Sequence, residues 1–211
     1  MTKYVDMSMK EFSNELASKK SMPGGGSVSA YSLSLSNSLA SMVANFTAGK
    51  KKYAEFEADI EKILEYTESM SEAIINKVDE DAEAFLPLAA VYKMPSETEE
   101  EKQIKENKMQ ACLKNAASVP MDILRMCNKI LNIHEELLNK GSKMLISDVG
   151  VGVVMLKSAA QSAYINVLIN INSINDCGYV EKISYEAENL LNDTIVRSDK
   201  IYSEVLDYVR K

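Results

Sequence analysis

The sequence predicts an all-α protein, folded as an antiparallel bundle of about seven helices in a single domain over residues 1–211. Large apolar residues recur every three or four positions through almost every segment, which is the spacing of one helix face. Short breaks with helix start and stop signals separate these segments, and none reads convincingly as a strand. Two long stretches, 21–49 and 158–175, carry no charged residue. Uncharged helices are usually covered on all sides, so these two are predicted to lie in the bundle interior or at a subunit interface.

The segment after Pro23 contains the run SLSLS, which taken alone alternates like a strand. Its larger apolar residues instead step by three or four over the whole segment, as a helix requires. They are Val28, Tyr31, Leu35, Leu39, Met42 and Phe46. The pattern therefore predicts one long helix that begins with Ser27 near its N-cap, after three glycines, and ends at Gly49.

The first helix is predicted from Met9 to about Ser18, because Ser8 and Glu11 have the spacing of a capping box. A charged helix should follow Gly49 and run to Phe85, where Pro87 kinks or ends it.

Four further helices complete the prediction. A second capping box in the segment 94–99 should open a helix towards Ala117, and Pro120 should start another that ends at Gly141. Ser147 and Asp148 should cap a helix that runs to about residue 175. The last helix is predicted from Glu181 to about Val209.

Composition excludes several classes of protein. The net charge of −7 and the pI near 5.0 argue against a nucleic-acid binder, which needs a basic surface. The uncharged stretches are too rich in Ser and Asn for a membrane-spanning helix, and the N-terminus shows no secretory signal. Three cysteines without metal or redox spacing favour buried or partly buried thiols in a reducing cytoplasm.

Several catalytic motifs are missing from the sequence. Gly49-Lys50 lacks the remaining positions of a phosphate-binding P-loop. The only histidine, His134, lacks the partners of a di-iron or zinc site, so no metal site is predicted, and His134 is assigned to a solvated helix face. Any catalytic acid or base should therefore be a carboxylate, a lysine or a tyrosine.

Two motifs suit an anionic ligand. The Gly24, Gly25 and Gly26 loop opens a helix, where free N–H groups and the helix dipole favour an anion, although a tight packing turn explains the glycines equally well. Three lysines and a tyrosine at positions 50–53 form a basic cluster in an acidic protein. From the residues alone, a solvated basic corner is the favoured interpretation of that cluster.

Two other motifs offer carboxylates. Asp81 lies in an acidic run but next to the apolar stripe, so it should be partly buried with a raised pKa; the alternative is a solvated face. Asp148 and Asn166 are about five turns apart on one helix face, which could line a groove for a flat ligand. The alternative is a capping aspartate with asparagines hydrogen-bonded inside the bundle.

Five segments, taken in order, resemble the C-terminal domain of the formiminotransferase-cyclodeaminase family, which also occurs as a free-standing protein. They are PGGGS at 23–27, MVANFTAGKKKY at 42–53, DEDAEAF at 79–85, SDVGV at 147–151 and NVLIN at 166–170. The resemblance covers nearly the whole chain, and the transferase half of the bifunctional enzyme is absent from it.

The resemblance implies an all-α homodimer that acts on one-carbon derivatives of tetrahydrofolate, with no cofactor beyond that substrate. One family reaction is the cyclohydrolase step, which opens 5,10-methenyltetrahydrofolate with water to 10-formyltetrahydrofolate. The other is the cyclodeaminase step, which closes 5-formiminotetrahydrofolate to the methenyl compound and releases ammonia. A cyclohydrolase is the first expectation, a cyclodeaminase the second, and a non-catalytic helical dimer or folate binder the third.

The resemblance also suggests roles for particular residues. Asp148 and Asp81 are expected to move protons and to stabilise the cationic carbon. The expected substrate-binding residues are Gly24, Gly25, Gly26, Ser27, Lys50, Lys51, Lys52, Tyr53, Asp79, Asn166 and Asn170. The lysines would attract a glutamate or polyglutamate tail. The sequence leaves open which lysine does so and whether the site spans two subunits.

Overall fold

The computed structural model describes residues 3–211, and this part of the chain is helical with no strand. Its six α-helices are α1 (Met9–Leu16), α2 (Gly25–Asn45), α3 (Glu57–Tyr92), α4 (Glu99–Lys140), α5 (Ile146–Ile171) and α6 (Cys177–Val209). Short 3₁₀ turns cover Tyr4–Asp6, Lys51–Phe56 and Lys143–Leu145. The predicted all-α class is confirmed.

The described residues form six α-helices where about seven were predicted, because a proline does not end a helix here. α4 continues through Pro120, where a new helix was predicted, and α3 continues past Pro87 to Tyr92. Each proline removes one backbone hydrogen bond, and both helices nevertheless continue through it.

Helix starts are confirmed in one case and corrected in others. The Ser8–Glu11 capping box is present at α1. The second box uses Thr98 and Glu101, two residues later than predicted. α5 begins at Ile146, after a 3₁₀ turn, so Ser147 and Asp148 lie inside its first turn and do not cap it. Likewise α6 begins four residues before the predicted Glu181, and its N-cap is Asp176, whose side chain accepts from the N–H of Tyr179.

The glycine loop is the start of α2. Gly24 is the N-cap and Gly25 the first helical residue, so Ser27 lies two residues inside the helix. At the other end, α2 stops at Asn45, four residues before the predicted Gly49. Gly49 itself has a φ of 70°, a backbone conformation that glycine adopts without strain.

Helices α2 and α5 form the antiparallel centre of the bundle. At one end the start of α2 packs on Asn166 of α5, within 3.0 Å of where a Cβ on Gly25 would lie. At the other end the N–H of Ser142, just before α5, donates to the Thr47 hydroxyl at 2.8 Å. Helices α3, α4 and α6 pack around this pair.

One side of the central pair carries apolar residues but remains exposed in this chain. Leu35 and Phe46 of α2, and Val151, Val154, Ile165 and Ile169 of α5, are all exposed. Within this chain the two uncharged stretches are therefore covered over only part of their surface, and the predicted subunit interface stays a prediction. Among the described residues, Lys143–Ile171 is the one helical segment long and apolar enough to cross a membrane, with a mean hydropathy of 1.3; core helices of soluble proteins pass the same test.

His134 is fully buried, and its predicted place on a solvated helix face is wrong. It lies on the stripe of α4 that also buries Leu131 and Leu138. Its Nε2 is 2.9 Å from the Ser36 hydroxyl, and a Cβ on Gly152 would come within 2.2 Å of the ring. Burial lowers the pKa of His134 from 6.5 to about 4. The cysteines also differ from expectation, because Cys177 is exposed.

Acid should destabilise the protein through His134. The folded state holds the ring neutral down to about pH 4, whereas the unfolded chain protonates near pH 6.5. The unfolded state therefore binds more protons between these values, and folding stability falls as the pH is lowered across them, by roughly 3 kcal/mol. Urea unfolding from pH 7 to pH 4 measures this loss. A His134→Gln variant should show a shallower fall over that range, and an unchanged slope would contradict the assignment.

Candidate active site

A cleft of about 220 Å³ opens where the start of α2 meets α3, α4 and α5. Its lining comes from four helices and the loop before α2, with one polar wall and one apolar wall. The lining residues are Ser21, Met22, Gly24, Gly25, Gly26, Asp81, Phe85, Leu88, Tyr92, Ala116, Asn166, Ile169 and Asn170. The structure thus brings the glycine loop together with Asp81 and both asparagines, residues that are far apart in sequence.

Asp81 is held at the cleft by the first turn of α2. The Ser27 N–H donates to Oδ2 of Asp81 at 2.9 Å, and the Ser27 hydroxyl lies 3.1 Å from the same oxygen. The hydroxyl is also 2.9 Å from the Val78 carbonyl, so it donates to one acceptor or the other. Ser27 is fully buried and outside the cleft lining. It therefore positions Asp81, whereas the sequence analysis expected it to contact the substrate directly.

The glycines at the start of α2 make room for side chains from two other helices. A Cβ on Gly26 would lie 2.0 Å from Oδ1 of Asp81. A Cβ on Gly25 would lie 3.0 Å from Nδ2 of Asn166. The close approach of Asp81 therefore requires glycine at position 26, and at position 25 a Cβ would make a tight contact with Asn166.

The carboxyl of Asp81 is partly buried, as predicted. Burial raises its pKa, and the hydrogen bonds from Ser27 oppose that rise. One oxygen is occupied by Ser27, so the other remains for a ligand or a water molecule. A carboxylate with a raised pKa that faces a cleft is suited to accept a proton from water near neutral pH.

Two further N–H groups at the start of α2 have no acceptor among the described residues. The first N–H groups of a helix have no partner within it. In α2 the N–H of Ser27 is taken by Asp81 and that of Val28 by the Gly24 carbonyl at 3.0 Å. The N–H groups of Gly25 and Gly26 remain for a ligand oxygen, in the positive field of the helix dipole.

Asn166 and Asn170 lie one turn apart on α5 and face the cleft. Each Nδ2 donates to the helix backbone, that of Asn166 to the Ser162 carbonyl and that of Asn170 to the Asn166 carbonyl, both at 2.8 Å. These bonds fix the orientation of the amides and leave each Oδ1 as an acceptor.

The apolar wall contains residues that the sequence analysis missed. Phe85, Leu88 and Tyr92 follow Asp81 at helical spacing along α3. Phe85 was on the predicted apolar stripe, whereas Leu88 and Tyr92 lie beyond the expected stop at Pro87 and were therefore missed. This wall suits the face of a flat ring.

Asp148 lies far from the cleft within this chain. It is 18 residues before Asn166 on a continuous helix, which corresponds to about 27 Å. Lys50, Lys51 and Lys52 lie beyond the same far end of α2, with Lys50 5.8 Å from the centre of the Phe46 ring. The predicted site residues thus divide into two groups at opposite ends of the central helix pair.

Two of the expected binding residues are engaged in internal contacts. The Tyr53 hydroxyl is buried and accepts from the N–H of Lys143 at 3.0 Å, a bond that lowers its pKa. The Asp79 carboxylate accepts from the N–H groups of Tyr4 and Val5 at 2.7 and 3.3 Å, outside the cleft. Within residues 3–211, no group of His, Cys, Asp and Glu side chains has the arrangement of a metal site.

Comparison with known proteins gives consistent matches over nearly the whole chain. The formiminotransferase-cyclodeaminase family profile matches residues 8–189. A methenyltetrahydrofolate cyclohydrolase of Methylorubrum extorquens is 36% identical over 93% of this chain and 95% of that protein. The formimidoyltransferase-cyclodeaminase of Rattus norvegicus is 29% identical over 90% of this chain but only 35% of that protein. The crystal structure of formiminotetrahydrofolate cyclodeaminase from Thermotoga maritima superimposes with a TM-score of 0.79, at 32% identity, over 97% of this chain and 96% of that one.

Proposed function

Since this chain belongs to the formiminotransferase-cyclodeaminase family, we propose that it is a methenyltetrahydrofolate cyclohydrolase. The observation that carries the proposal is the cleft, where a carboxylate with a raised pKa faces two free helix N–H groups and two fixed amides. The similarity to a named cyclohydrolase over 95% of that protein's length supports the same activity.

The reaction adds water to the cationic carbon that bridges N5 and N10 of the substrate. Asp81 takes a proton from the attacking water as the new C–O bond forms, giving a tetrahedral carbon. The hydroxyl on that carbon then loses its proton as the C=O of the formyl group forms, the bond from the carbon to N5 breaks, and N5 takes up a proton, so the carbon stays on N10. One proton is released overall. The negative carboxylate also stabilises the positive carbon before attack.

The remaining cleft residues are assigned to binding. A volume of about 220 Å³ accommodates the fused ring but not the whole substrate, so the aminobenzoyl-glutamate part must extend outside the cleft. The ring would lie against the apolar wall, with its carbonyl on the N–H groups of Gly25 and Gly26. Asn166 and Asn170 would meet its polar edge.

The cyclodeaminase reaction is the second candidate, favoured by the similarity to the Thermotoga maritima structure. It passes through a tetrahedral carbon bridging the same two nitrogens, with ammonia leaving, so the same carboxylate serves both. Initial rates with each substrate, 5,10-methenyltetrahydrofolate and 5-formiminotetrahydrofolate, distinguish the two. A larger kcat/KM for the methenyl compound supports our proposal, and a larger value for the formimino compound overturns it in favour of the deaminase.

We further propose that the protein is a homodimer whose two-fold axis crosses the exposed apolar face of α2 and α5. Exposed Val151, Val154 and Ile165 support this, because such a face is normally covered. If this face packed antiparallel on the same face of a second copy, the end of the α2 and α5 pair that lies opposite the cleft would come close to the partner's cleft. The partner's Asp148 would then reach the substrate, and the lysines at 50–52 would meet its glutamate or polyglutamate tail.

Mixing two inactive variants tests the shared site. Asp81→Asn and Asp148→Asn should each be inactive alone, and co-expression with separate tags should restore about a quarter of the wild-type rate. Half of randomly formed dimers would be mixed, and each mixed dimer would have one of its two sites intact. Co-expressed Asp81→Asn and Asp81→Ala is the control that restores nothing. No recovery in the first mixture would contradict a site shared between subunits.

Other expectations stay predictions. A cytoplasmic location, the absence of a membrane or nucleic-acid partner, and the absence of any cofactor beyond the tetrahydrofolate substrate rest on the sequence.

A further inference from the structure

The backbone of α4 is interrupted beside the cleft. In a helix the carbonyl of residue 116 accepts from the N–H of residue 120. Residue 120 is proline, which has no N–H, so the Ala116 carbonyl loses its helix partner. Ala116 and Pro120 are both buried, where an unpaired carbonyl is costly.

The freed carbonyl lies at the cleft. Ala116 lines it, and Nδ2 of Asn170 lies 3.5 Å from the Ala116 carbonyl oxygen, the long limit for a hydrogen bond. That same Nδ2 already donates to the Asn166 carbonyl at 2.8 Å. The Ala116 carbonyl therefore still has strong acceptor capacity, next to a side-chain amide assigned to the ligand.

We propose that the Ala116 carbonyl, freed by Pro120, accepts a hydrogen bond from an N–H group of the ligand's fused ring. This rests on the proposed function, because the amino-pyrimidinone edge of a tetrahydrofolate carries such donors beside the ring carbonyl. Hydrogen bonds to two helices then fix the orientation of the ring. The ring carbonyl accepts from the N–H groups of α2, and a ring N–H donates to the Ala116 carbonyl. A ring without a donor at this edge leaves the buried carbonyl unpaired and binds less tightly.

Pro120→Ala tests the proposal, since it restores the N–H and lets the helix recapture the carbonyl. We expect KM for 5,10-methenyltetrahydrofolate, and Kd for tetrahydrofolate by calorimetry, to rise about five- to tenfold. The kcat should change less, and the melting temperature should be maintained or raised. Weaker binding without loss of stability is a combination that a merely structural proline would not produce.

Pro87→Ala is the matched control. It makes the same change within α3, where the freed carbonyl belongs to Glu83, an exposed residue outside the cleft lining. Its Kd should stay within about twofold of wild type. Equal binding by Pro120→Ala and wild type, or equal weakening by both variants, would overturn the proposal. If the wild type did not accelerate the hydrolysis of 5,10-methenyltetrahydrofolate, the proposed function would itself have failed, which is a separate result.

Discussion

Replacing Asp81 by Asn is expected to lower kcat for 5,10-methenyltetrahydrofolate by about 10²- to 10⁴-fold, the usual contribution of a positioned general base. The amide keeps the hydrogen bond from the Ser27 N–H, because its Oδ1 is still an acceptor. The fold should therefore survive while the proton acceptor is lost. The measurement is a steady-state rate for purified variant and wild type under matched conditions.

Two controls make this result specific. Glu83→Gln removes a carboxylate half a turn further along the same helix, exposed and outside the cleft, and should keep wild-type turnover. The pH profile is the second control. Because burial raises the pKa of Asp81, kcat/KM should fall as the pH is lowered through an inflection above the ordinary aspartate value of about 3.9. Full turnover by Asp81→Asn, or the same inflection in that variant, would contradict the assigned role.

Gly26→Ala is expected to damage both the fold and the activity. The added Cβ would lie 2.0 Å from Oδ1 of Asp81, a carboxylate held by Ser27, so either α2 or Asp81 must move. Overpacking of this kind costs about 1–3 kcal/mol of folding stability, and displacement of the carboxylate should abolish measurable turnover. Thermal unfolding and the same rate assay measure the two effects.

Two further variants separate the clash with Asp81 from the general effect of replacing a helical glycine by alanine. Gly178→Ala adds a methyl group near the start of α6, where the nearest atom outside the helix backbone is 3.8 Å away, and should be neutral. The double variant Gly26→Ala with Asp81→Ala removes the clash, so it should regain much of the stability but none of the activity. If the double variant were no more stable than Gly26→Ala alone, the clash with Asp81 would not be the cause.

Periodicity was sufficient to predict most of the helices, because their apolar stripes are long and their starts carry recognisable caps. The use of proline as a helix boundary failed at Pro120 and Pro87, where a long packed helix tolerates one missing backbone hydrogen bond. Periodicity also failed at His134, since a single polar residue on an apolar stripe does not reveal whether a neighbouring glycine, here Gly152, leaves room for the ring.

The candidate site was only partly predictable for a different reason. Asp81, Asn166 and the glycines carry local signals. The glycines meet Asn166 because α2 packs antiparallel to α5, and they meet Asp81 because α3 packs on the first turn of α2. Asp148 shares a helix face with Asn166, but angular position says nothing about the 27 Å or so that separate them along the axis. That distance becomes informative only once the exposed apolar face suggests a second copy of the chain.

The most direct test of the proposed activity is the loss of near-ultraviolet absorbance of 5,10-methenyltetrahydrofolate with wild-type protein and with Asp81→Asn in parallel. The proposal predicts rapid loss well above the spontaneous rate with wild type and close to the spontaneous rate with the variant. A wild-type rate no faster than the spontaneous reaction would contradict the assignment as a cyclohydrolase.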